Sequence, residues 1–154
     1  MARRYTIGVA QVAASATQDI LAIKCAATCI VRVLEVRLSQ SASTTSTQQR
    51  VRHSKLTATA TLGSGGSAPT AVKHESGDAS AASTFRANDT TQATTSGAKS
   101  TVFEDVFNLL SGYIWVPIPE ECIVLAPGEA YVLEFPAAPI SGTYDASVTF
   151  EEIG

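Results

Sequence analysis

Four apolar runs fill the last third of the chain: residues 113–119, 122–126, 130–136 and 144–152. They are separated by Pro119-Glu120-Glu121, by Pro127-Gly128-Glu129 and by the small-residue stretch 137–142. Each run is too short for an ordinary helix and rich in Val, Ile, Tyr and Phe. Strand-length runs at regular spacing, divided by turn residues, predict an all-β sandwich or barrel. The same punctuation recurs upstream, at 5–12, 18–24 and 30–38. The expected fold is an antiparallel β-sandwich, jelly-roll-like, of about eight to ten strands.

Within 30–38, Ile30, Arg32, Leu34, Val36 and Leu38 share one parity, and Val31, Val33, Glu35 and Arg37 the other. Successive strand residues point to opposite faces. The first set is therefore expected toward the core, with Glu35 and Arg37 outward and Arg32 near a strand end. A helix across 19–38 competes with this reading, but the density of β-branched residues argues for strands. Val31 and Val33 or their opposite-parity neighbours, with Phe103, Trp115, Val132, Val148 and Phe150, are the expected core. A turn is expected at Ala26-Ala27-Thr28.

At 154 residues the chain is read as one domain, 1–154. It is 45% hydrophobic but only 16% charged, which points to subunit contacts covering part of the surface. No run reaches the roughly 20 apolar residues of a membrane helix, so no membrane partner is expected. The net charge of −3 opposes nucleic-acid binding, which draws its affinity from phosphate neutralisation by a basic surface.

The middle third reads differently. Residues 39–49 are a Ser/Thr/Ala/Gln tract, expected as an exposed loop. Residues 50–62 alternate as a polar strand, half-buried at most. Gly63-Ser64-Gly65-Gly66-Ser67 reads as a flexible turn. Between Leu62 and Val102 only Val72 and Phe85 are sizeable apolar residues. That is too few to offset an ordering entropy of about 1–2 kcal/mol per residue. Residues 62–99 are thus expected to form a loop-rich excursion, folded over one edge of the sandwich or docked on a neighbour and ordered by that partner. The Tyr5–Val12 stretch, with Tyr5, Ile7 and Val9 on one face, is read as mature sequence and not as a leader.

Chemistry-bearing residues are sparse. His53 and His74 are the only histidines, and both read as surface residues. His74, Glu75 and Asp78 match no zinc or calcium spacing. The glycine run lacks the Lys-Ser/Thr of a phosphate loop, and no Gly-x-Ser-x-Gly elbow occurs. Glu120-Glu121 and Glu151-Glu152 are adjacent pairs, which strands send to opposite faces. No enzyme activity and no cofactor is expected. Tyr113, Trp115, Tyr131 and Tyr144 fit core or subunit interface better than a sugar platform. Asn88-Asp89-Thr90 fits a glycan acceptor only in a secreted eukaryotic protein. Cys25, Cys29 and Cys122 read as buried thiols, with a Cys25–Cys122 or Cys29–Cys122 bridge open in an oxidising compartment.

Several stretches recur together in a known order: Gly63-Ser64-Gly65-Gly66-Ser67-Ala68-Pro69-Thr70, Ala87-Asn88-Asp89-Thr90-Thr91, residues 111–121, Pro127-Gly128-Glu129 and the ending 147–154. In these the chain resembles small virion structural proteins of tailed bacteriophages, from Tyr5 to Gly154. The resemblance implies a β-sandwich made in the host cytoplasm and placed on the virion. Its most plausible role there is a capsid decoration (cement) protein, bound as a homotrimer to the major capsid protein on the outer head surface. A tail or baseplate β-module and a carbohydrate-binding sandwich are the alternatives. The resemblance carries over no catalytic or binding residue. Arg3 and Arg4 are the expected partner-binding residues, suited to an acidic head surface.

Overall fold

The computed structural model describes residues 1–41 and 46–154, so part of the 39–49 tract lies outside the described residues. Thirteen strands occur among them: β1 (Ala2–Ala14), β2 (Gln18–Lys24), β3 (Ile30–Gln40), β4 (Gln48–Leu56), β5 (Ala60–Thr61), β6 (Val72–Lys73), β7 (Thr84–Asp89), β8 (Thr94–Thr95), β9 (Lys99–Asn108), β10 (Tyr113–Trp115), β11 (Ile123–Leu125), β12 (Ala130–Phe135) and β13 (Gly142–Ile153). A single 3-10 turn, Pro119–Glu121, precedes β11. Strands make up 59% of the described residues, against about 20–25% in an average soluble domain.

One sheet runs β10-β3-β13-β1-β6, with β11 also on β3, and the other runs β7-β2-β12-β4-β9. The pairing is nested. β1 pairs with β13, β2 with β12, β3 with β10 and β11, and β4 with β9, all antiparallel. First-with-last pairing distributed over two sheets is a jelly roll. Nine strands build this frame. The other four, β5 to β8, come from the excursion and the two residues that lead into it, which accounts for a count above the expected eight to ten.

The core lies between the sheets and is built around Tyr5, Ile7, Ile20, Val33, Phe135 and Phe150. Tyr5 and Phe85 flank Phe150, with ring centroids 5.5 and 5.3 Å away. Val31, Val33, Val148 and Phe150 are buried as expected; Phe103 and Trp115 pack against the core from its rim. Val132 is buried too, but in a second small cluster with Ala22, Leu56, Ala60, Ala93 and Ala130.

The parity expected for β3 holds for only half of it. Thr149 pairs with Glu35 and Phe150 with Val33, so Leu34 is an extra residue. Such a bulge flips the faces of everything beyond it. Val31 and Val33 point inward before the bulge, and Val36 and Leu38 after it. β4 also departs from expectation. Gln49, Val51, His53, Ser54 and Leu56 are all buried, because β4 is an inner strand of its sheet with the excursion lying over part of its outer face.

That cover comes from residues 62–99. The excursion adds β7 to the edge of β2 and β6 to the edge of β1. Of the two placements the sequence leaves open, over an edge of the sandwich or on a neighbour, the structure has the first. Buried carboxylates take the place of apolar contacts. Asp19 accepts the Ala93 amide at 2.6 Å, and Glu152 accepts the amides of Ala82 and Ser83 at 3.0 and 2.9 Å. Asp89 accepts the Gly66 amide at 3.0 Å and the Arg86 guanidinium at 2.6 Å. Glu134 takes Gln92 at 3.0 Å and Lys99 at 2.6 Å on one oxygen, and Ser54 at 2.6 Å on the other. Hydrogen bonds to ionised groups contribute about 1.5–3 kcal/mol each, enough for a few to fix a segment poor in apolar residues. Three of these acids form one row, because strand register sets Asp89 beside Asp19 and Asp19 beside Glu134.

The glycine run is correspondingly not a loose turn. Ser64 bridges Thr91 and Ser67 bridges Ala87. A Cβ on Gly66 would lie 2.0 Å from the Ala87 carbonyl oxygen, so only glycine lets the two backbones approach. Gly66→Ala is expected to lower the unfolding free energy by about 1–3 kcal/mol, the usual cost of overpacking. A urea midpoint equal to that of the wild type would show that the two segments part without cost.

Candidate functional surface

The two edges of the sandwich differ. On one side the excursion supplies β6 and β7. On the other, β9 and the β10/β11 pair end their sheets. The extended chain through β10 alternates. Tyr113 is buried, and Trp115 and Pro117 are half-buried. Ile114, Val116 and Ile118 face solvent with 67%, 65% and 57% exposure. Three outward apolar residues at i, i+2 and i+4 make a ridge, and Leu110 in the preceding turn is 56% exposed. Val124 of β11 is also exposed. Ile114 pairs in register with Arg37 and Val124 with Arg32. Glu120 and Glu121, both exposed, close the far end.

Sequence reading finds this stretch strongly apolar but cannot separate its faces, since both parities are apolar. The signal that marks it as an edge is proline. Pro117 and Pro119 cannot donate to a ladder, and such residues are confined to sheet edges.

Beneath the ridge lies an aromatic layer centred on His53. Its Nδ1 is 2.8 Å from the Tyr131 hydroxyl and its Nε2 is 3.1 Å from that of Tyr113. Phe103 stacks on the imidazole at 4.2 Å and Trp115 lies 5.1 Å away. The expectation of a surface histidine is corrected: His53 is wholly buried, on the same face as Val51. Burial lowers its pKa from 6.5 to about 4, so the ring is neutral and offers one donor and one acceptor. Burial also raises Tyr113 to about 12 and pushes Tyr131 well above the ordinary phenol range. The layer is a support for β9 and β10. Tyr113 and Tyr131 are spent inside it, and Tyr144 is buried elsewhere with its hydroxyl on the Ile140 carbonyl at 2.8 Å.

β9 has a free edge, and the edge is guarded. Val102 is an extra residue opposite the step from His53 to Ser54, and the Asp105 carboxylate accepts the Val106 amide at 2.8 Å. Bulges and edge charges of this kind discourage pairing with another strand. Asp105→Val is expected to give concentration-dependent association by light scattering; a variant that stays as dispersed as the wild type would refute the guarding role.

Arg3 and Arg4 lie on β1, beside the excursion and away from the ridge. Arg4 is exposed and its guanidinium is 4.0 Å from Glu151; Arg3 is half-buried. His74 is near them, its Nε2 2.8 Å from the Thr6 hydroxyl. Among the described residues no three His, Cys, Asp or Glu side chains gather as a metal site, and no helix is long and apolar enough to cross a membrane. All three cysteines are free thiols, and Cys25 and Cys29 are buried. Comparison with protein families, with curated proteins and with solved structures finds no match.

Proposed function

We propose that this chain is a non-enzymatic structural protein of a bacteriophage virion, a decoration subunit that binds the outer capsid surface as a homotrimer and stabilises it. The observation that carries the reading is the ridge of Ile114, Val116 and Ile118 on a rigid jelly roll whose other side is occupied by its own chain. A contiguous exposed apolar patch with a polar rim marks a protein contact. The low charge and the resemblance to phage virion proteins support the same reading. Closed cyclic symmetry would bury the ridge without leaving a surface that grows into fibres.

The test is sedimentation of the protein alone and with expanded heads. Trimers and co-sedimentation with heads are expected. Ile114→Asp with Val116→Asp should abolish both while leaving the far-ultraviolet strand signal of the folded protein unchanged. Arg3→Ala with Arg4→Ala should weaken head binding mainly at low salt, since exposed charges are screened within about 8–10 Å at physiological ionic strength. A monomer with no affinity for heads, tails or baseplates would overturn the proposal. Glycan binding lost in Trp115→Ala would replace it with the carbohydrate-binding reading.

A further inference from the structure

We propose that Cys25 and Cys29 are a modification site: a dithiol that small-molecule disulfides of the glutathione class convert to an intrachain disulfide, locking the turn between β2 and β3. The two sulfurs are 3.8 Å apart across that turn, in contact without a bond. No such neighbour exists for Cys122. It precedes Ile123, which pairs with Val33 well along β3 from Cys29, and its sulfur lies 3.6 Å from the Ile118 carbonyl. The bridges to Cys122 that the sequence leaves open are not the close pair. Cys25 and Cys29 are.

The surroundings assign the two sulfurs different parts. Cys29 is 7% exposed and Cys25 1%. Cys29 borders an open groove of about 320 Å³ with Thr28, Pro127 and Ile153, and Cys25 one of about 310 Å³ with Thr59 and Gly128. Cys25 is held back. Its thiol donates to the Cys29 carbonyl at 3.1 Å, and its backbone is fixed by bonds to Glu129 and Gly128 at 2.9 and 3.1 Å. Burial, with the Cys29 thiol beside it, pushes its pKa up. Cys29, the more exposed of the two sulfurs, is therefore the one that attacks first, since exchange needs access.

The exchange balances in two steps. The Cys29 thiolate attacks one sulfur of the oxidant, forming a mixed disulfide and releasing one small thiol. Cys25 then loses its proton and attacks the Cys29 sulfur, and the second small thiol leaves. Two protein thiols are oxidised to one disulfide, one small disulfide is reduced to two thiols, and the two protons end on the released thiols. The second step is assisted by proximity, because Cys25 already lies beside the Cys29 sulfur. The turn that closes sits against the chain end: a Cβ on Gly154 would lie 2.6 Å from the Thr28 carbonyl oxygen.

The experiment uses the folded full chain carrying Cys122→Ser, which prevents links between molecules. Incubation with oxidised glutathione should give a product lighter by about 2 Da, with Cys25 and Cys29 peptides joined in a non-reducing digest. Brief iodoacetamide treatment of the reduced, folded protein should label Cys29 well before Cys25. Cys25→Ser should stop at the glutathione adduct on Cys29. An adduct that persists with Cys25 present, or both thiols still alkylated after oxidation and unfolding, would overturn the proposal. The readout is covalent mass, so it is independent of whether the protein binds capsids.

Discussion

Glu134→Ala is expected to remove about 3 kcal/mol of stability, near the lower end of the range for breaking a buried ion pair. Glu134 is 1% exposed on β12. It joins Lys99 and Gln92 from the excursion side to Ser54 and Arg52 on β4. Removing it strands the buried Ser54 hydroxyl away from water and frees the half-buried Gln92 amide. Lys99 and Arg52 are each about 30% exposed and can turn outward, which keeps the loss below the top of the range. Denaturant midpoints measure the effect, and hydrogen exchange locates it. Amides in residues 92–99 should exchange faster in the variant, while β13 keeps its protection. A loss under about 0.5 kcal/mol, typical of a surface substitution, would mean that apolar contacts alone hold the segment.

The second large effect appears as a change in pH dependence. Burial raises the Asp19 carboxyl from 3.8 to about 6 in the folded chain, although the Ala93 amide opposes the shift. Lys99 lowers it, and Glu134 and Asp89 raise it further. A raised acid contributes stability that is complete below pH 3.8 and lost as pH rises through about 6. His53 works the other way. Its folded pKa of about 4 lies below the ordinary 6.5, so its contribution is complete above 6.5 and lost as pH falls toward 4. Each shift corresponds to about 3 kcal/mol across its window, and the windows overlap between about 4 and 6 with opposite slopes.

The wild type hides this opposition, and single variants expose it. Asp19→Asn should gain stability at pH 7 to 8, where the wild-type carboxylate is ionised beside two others. Relative to the wild type, that gain should shrink as pH falls below 6. His53→Gln should lose stability at neutral pH, since the tyrosine contacts are disturbed, and recover toward the wild type on acidification. Unfolding free energies at four pH values from 4 to 8 decide it. Difference curves that are flat, or that slope in the same direction for both variants, would refute the assignment.

Much of the fold is legible in the sequence, for a simple reason. β2, β12 and β13 are bounded by turn residues, and their apolar content alone requires burial. Register is not legible to the same degree. The bulge at Leu34 has no local signature, so the parity of β3 reads correctly for either half but not for both. The burial of His53 follows from the inner position of β4, which depends on strands distant in sequence. The order of residues 62–99 is the largest gap. Counting apolar side chains misses a segment held through its backbone amides, and the acids that hold it, Asp19, Glu134 and Glu152, look like ordinary strand polar residues. The ridge is visible as composition, but its outward direction appears only once Tyr113 and Trp115 are seen to fill the inner face.

Because much of what the carboxylates grip is main chain, the excursion's fastening depends little on its own exposed side chains. Substitutions at its outward positions should be nearly free, whereas Glu134 and Glu152 should admit almost none. Gly77 shows the limit of this freedom: a Cβ there would meet nothing within 4 Å, in a turn where Asp78 returns its amide to the Glu75 carbonyl at 3.1 Å. A foreign peptide spliced in at this point would be carried on a tip whose nearest fastening to β1 is the Tyr5 hydroxyl on the Ala79 carbonyl at 2.9 Å. The sandwich is in this sense built to display a segment whose sequence can change while its attachment does not.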